Sequence, residues 1–74
     1  MKDFMKDEAV LVREEPRLQE LALEQLRWTR TQWWDRLRGR VALKPAERIA
    51  LHKILQQVRQ ELEAEAQRTH AYEQ

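Results

Sequence analysis

From Pro16 onward, apolar residues recur along this chain at helical intervals. Leu51, Leu55, Val58 and Leu62 follow a 4-3-4 spacing, the seam of left-handed helix packing. Ala50 and Ile54 widen that stripe, and Glu65, Thr69 and Tyr72 continue it with weakening apolar character. Pro45 suits a first helical position and Glu47 a first turn, where negative charge complements the helix dipole. The pattern predicts helix B over about 45–70. Upstream, Ala22, Leu26, Trp33 and Leu37 share one helical face, with Leu23 and Trp34 on its flank and Leu18 on the opposite flank. Pro16 opens this segment, Arg36 and Arg38 close it, and Gly39 fits the left-handed residue just past a helix end. The pattern predicts helix A over about 16–38, joined to helix B by a turn at 39–44.

Two features disturb a simple hairpin. Leu21 and Trp28 lie seven residues apart, so they share a stripe on a continuous helix, and it points nearly opposite Leu26. A second stripe needs a second neighbour. Ile49 lies off the main stripe of helix B in the same way. Residues 1–15 match neither a helical stripe nor a clean alternation, and Pro16 separates them from helix A. They read as an N-terminal arm or short helix that covers the bundle. The predicted fold is all-α: an antiparallel two-helix hairpin (16–74) with this arm (1–15), dimerising into a four-helix bundle. An arm that completes a three-helix unit is the alternative. Leu21, Trp28, Ile49, Leu51, Leu55, Val58 and Leu62 are the expected dimer or bundle interface.

Composition agrees with helices. The 74 residues include no Ser, Asn or Cys and one Gly, so turn formers are nearly absent. Without cysteine there are neither disulfides nor thiolate metal sites, and a chain this small needs another aid to stability, such as a partner copy. No apolar run reaches a membrane span. Charged residues interrupt any leader-like segment at the N-terminus, and a cytoplasmic protein is expected.

Charge is segregated although the total is +1. Residues 27–53 hold eight basic and two acidic side chains, a net of +6, against −3 for residues 1–26 and −2 for residues 54–74. All three tryptophans lie in the basic centre, within Arg27–Arg40. In a hairpin this centre forms the tip and the acidic ends lie at the mouth. A head-to-tail homodimer would set each tip beside the other copy's acidic end.

The chemistry is that of binding. No serine or cysteine nucleophile, glycine-rich phosphate loop or histidine constellation is present, so an enzyme is not expected. Glu61 and Glu65, one turn apart, read as a solvated face. His52 and His70 read as surface histidines, and no metal or cofactor is expected. Trp28, Trp34, Arg27, Arg30, Arg38 and Arg40 are the candidate partner-binding residues, because tryptophan and arginine dominate interface hot spots. Trp33 reads as core. The expected function is a small protein-binding regulator, adaptor or inhibitor of a larger protein, acting as a homodimer. The alternative is a nucleic-acid-binding regulator using the same arginines for phosphates and tryptophan for stacking. Against it stand the missing recognition motifs and the long helix B, which does not suit a helix-turn-helix.

Overall fold

The computed structural model describes the backbone of residues 2–73 and the side chains of residues 4–68. The described backbone is all helical in its regular parts: α1 (Lys2–Asp7), α2 (Glu15–Gln25), α3 (Arg30–Leu37) and α4 (Pro45–Glu73). No described helix is long and apolar enough to cross a membrane. The expected continuation of the seam at Thr69 and Tyr72, and His70, fall outside the described side chains.

α4 sets the long axis. Its 29 residues span about 43 Å at 1.5 Å per residue, against a longest molecular extent of 47 Å. The other helices gather on its N-terminal two-thirds. Leu51, Leu55 and Val58 of the predicted seam are fully buried, and Ile54 nearly so. They meet Leu18, Leu21 and Ala22 of α2, Trp33 of α3 and Phe4 of α1 in one core. Leu62 is half-buried, and residues 63–68 are all exposed.

The single helix expected over 16–38 is instead two helices, α2 and α3, separated by residues 26–29. The cause is local. Arg27 adopts a left-handed φ of 55°. Thr29 is extended and caps α3, its side chain accepting from the Gln32 amide at 3.1 Å while its own amide donates to the Gln32 side chain at 2.8 Å. This capping box pairs two backbone donors that a helix start would leave open. The break also removes the puzzle of the second stripe. Leu21 and Trp28 need not face opposite Leu26 once the helix ends at Gln25. Leu21 is 4% exposed, inside the core, and Trp28 lies in the connection.

Both ends of the arm are tied down. Phe4 is fully buried, so α1 is part of the core. α1 ends in a Schellman motif: the Val10 amide reaches the Met5 carbonyl at 3.0 Å and the Ala9 amide reaches Lys6 at 3.3 Å. Ala9 holds the left-handed position, with φ 52°, that glycine ordinarily fills. Asp7 then lies 3.8 Å from Arg48 and Glu8 lies 3.2 Å from His52. Glu14 is buried where Arg59 and the Leu11 amide both donate to it, each at 3.2 Å. Arg59 also donates to the Glu8 carbonyl at 2.9 Å. Some of the acidic residues expected at the mouth of a hairpin are thus neutralised by α4 of the same chain. Arg17 and Glu61, 2.9 Å apart, and Gln25 and Gln57, 3.3 Å apart, link α2 to α4 in opposite chain directions. Arg17 holds the Glu61 carboxyl below its usual range, and Glu61 and then Glu20 raise Arg17.

Candidate functional site

The basic centre folds into α3 and the two connections beside it. α3 is fixed at both ends. Its N-terminus is the Thr29–Gln32 box. Its C-terminus is a second Schellman motif around Gly39, whose φ is 80°, with the Arg40 amide on the Asp35 carbonyl at 2.8 Å and the Gly39 amide on Arg36 at 3.2 Å. Eight residues between two such stops form a short, well-held helix.

The three tryptophans have different fates. Trp33 points into the core and is fully buried. Its ring N–H has no partner there, which costs about 1–3 kcal/mol. Burying a tryptophan's roughly 200 Å² returns about 5 kcal/mol at ~25 cal/mol/Å², so the ring stays inside. Trp28 is half-buried against the core, and the Arg36 guanidinium lies 4.5 Å above its ring. Trp34 is the exposed one, at 42%, with Arg38 over its ring at 5.7 Å.

The arginines divide as clearly. Arg36 belongs to the fold. It donates to the Glu47 carboxylate at 3.0 Å and to the Gln32 carbonyl at 3.2 Å, and its stack on Trp28 completes a bracket of connection, α3 and α4. Glu47 in turn accepts from the Lys44 amide at 3.0 Å, which caps α4. Burial pushes the Glu47 carboxyl up, but the Lys44 amide and Arg36 outweigh it, and Glu47 titrates below its usual range. Arg27, Arg30, Arg38 and Arg40 are exposed, and among the described residues none of them has an acidic side chain within 4.0 Å. Arg30 and Trp34 of α3 and Arg38 at its C-cap stand four residues apart, one row on one helical face. Thr31 is exposed beside them.

Of the six candidate binding residues, then, Trp34, Arg30 and Arg38 share a surface. Arg27 and Arg40 flank it in sequence at the two ends of α3. Trp28 departs from expectation: a continuous helix would make it an exposed anchor, and the break at 26–29 lets it fold under Arg36. Of the interface candidates, Leu21, Leu51, Leu55 and Val58 lie inside the chain's own core, Leu62 is half-buried at its edge, and Ile49 is 59% exposed. In the sequence Arg36 and Glu47 read as charges that complement the dipoles of helix A and helix B, and the structure pairs them with each other. The signal for them was weak, since Glu47 stands three residues after Lys44, the capping-box offset, without the hydroxyl of a full box. No protein-family model, curated protein or solved structure matches this chain.

Proposed function

We propose that this chain is a small non-enzymatic protein-binding module, a regulator, adaptor or inhibitor of a larger protein, that docks through the outward face of α3. The observation that carries this reading is the exposed Trp34 set between Arg30 and Arg38 on a helix held at both ends. A rigid aromatic anchor loses little entropy on binding, and arginines at the rim steer the encounter. Removing the exposed 42% of Trp34 from water contributes about 2 kcal/mol at ~25 cal/mol/Å². The test places a photo-crosslinking residue at position 34, with position 49 as the exposed control, in cells of the native host. A discrete protein adduct at position 34, lost in an Arg30→Glu, Arg38→Glu background, supports the reading. Equal labelling at 34 and 49 ends it.

One observation favours the second reading, nucleic-acid binding. α2, the four-residue connection 26–29 and the short basic α3 have the element lengths of a helix-turn-helix, whose second helix enters the major groove. The long helix that argued against this motif is α4, which lies outside it. Here α3 would carry Arg27, Arg30, Arg38 and Arg40 to phosphates, and affinity would fall steeply with salt. Absence of any duplex shift at low salt removes this reading.

A further inference from the structure

One surface of the chain carries apolar groups that its own helices leave uncovered. Residues 63–68 form an exposed stretch of α4, and a helix in a protein takes most of its stability from a packed face. At its root lies an open groove of about 260 Å³, lined by Arg13, Glu14, Arg59, Leu62, Glu63 and Ala66. The turn that supplies Arg13 also presents Val12, 87% exposed, and Leu11, 48% exposed. An apolar knob and a groove with Leu62 and Ala66 in its wall are therefore neighbours. The charges around them are unevenly used. Glu14 is held by Arg59, whereas among the described residues neither Arg13 nor Glu63 has an ion-pair partner.

We infer that this surface receives a second copy of the chain about a twofold axis, with Val12 of each copy in the groove of the other and Arg13 of each beside Glu63 of the other. A twofold contact is made by one patch meeting itself, so it must carry both halves of every complementary pair. This patch does: knob and groove, one spare positive and one spare negative charge. The pairing would also cover the root of the α4 arm. The inference takes up the homodimer expected from the sequence, goes beyond the proposed docking of α3 and shares no residue with it, so the two readings fail separately.

Sedimentation velocity on the full chain, from micromolar to submillimolar concentration, tests it, with circular dichroism as the control for folding. The variants are Val12→Asp, Arg13→Glu, Glu63→Arg, the Arg13→Glu/Glu63→Arg pair and Trp34→Ala. The wild type is expected to dimerise. Each single change weakens dimerisation at least ~10-fold, because symmetry places every like-charge or buried-charge clash twice. The double reversal returns it to near the wild-type value, and Trp34→Ala leaves it unchanged. A monomer throughout the range overturns the inference, as does association indifferent to the reversals or a double reversal that fails to restore it. Loss of dimer in Trp34→Ala also overturns it, by moving the contact to α3. A dimer that behaves as expected while position 34 crosslinks nothing would sink the α3 reading alone.

Discussion

Arg36→Gln tests whether the one arginine of the basic centre that pairs across α3 and α4 holds the fold together. The substitution removes a guanidinium whose side chain is 12% exposed from a carboxylate that is 18% exposed. It also removes the stack on Trp28. A hydrogen bond to a charged group is worth about 1.5–3 kcal/mol, and a partly desolvated cation–π contact about 1 kcal/mol. Against this, the buried Arg36 Nε has no partner, and losing it relieves about 1 kcal/mol. The net loss is about 1.5–3 kcal/mol. A 74-residue chain has a total stability of roughly 4–11 kcal/mol, so Tm should fall by about 10–20 °C. Urea unfolding of the wild type, Arg36→Gln, Glu47→Gln and the double variant gives the coupling directly. The pH dependence supplies an independent check. Glu47 titrates below its usual value when folded, so its contribution is present above about pH 4.5 and is lost as pH falls through the lower, folded value. Arg36→Gln should therefore lose less stability than the wild type over that acid window, while the contribution of Glu61 cancels between the two proteins. A net loss below about 0.5 kcal/mol, or parallel acid limbs, would refute the bracket.

Phe4→Ala should cost about 3–5 kcal/mol and leave the chain close to unfolded at 37 °C by calorimetry, because Phe4 is fully buried and α1 is part of the core. Ala9→Gly should stabilise by about 0.5–1 kcal/mol in urea unfolding, since the left-handed φ at this position strains an alanine and not a glycine; a loss of stability would contradict the Schellman end of α1. Thr29→Ala should cost about 0.5–2 kcal/mol and raise amide exchange at Gln32, whose N–H it leaves without its cap.

Much of this molecule was legible in the residues alone. The 4-3-4 spacing of α4 gave its buried face through Val58, Pro45 gave its start, and Gly39 gave the end of α3. The segregated charge and the clustered tryptophans pointed to the stretch where Trp34 is now exposed. What misled was continuity. Nothing between Gln25 and Arg30 is a glycine or a proline, so the periodic pattern reads straight through a break made by a threonine hydroxyl and a glutamine amide. A Thr-x-x-Gln signature was present, but such a signature competes with an unbroken helix on terms that depend on packing.

Composition and periodicity determined that the described backbone is helical in its regular parts and where its longest helix begins. Those properties are local: they follow from propensity, capping and the spacing of apolar groups within one turn or two. Tertiary structure alone decided which tryptophan is free. Trp28, Trp33 and Trp34 are equally apolar in sequence, and only the fold sets one under Arg36, one in the core and one in solvent. It also decided which arginine is structural, because Arg36 and Glu47 meet across eleven residues through the turn that joins α3 to α4. Such pairings depend on how helices are placed in space, which a pattern along one dimension does not carry.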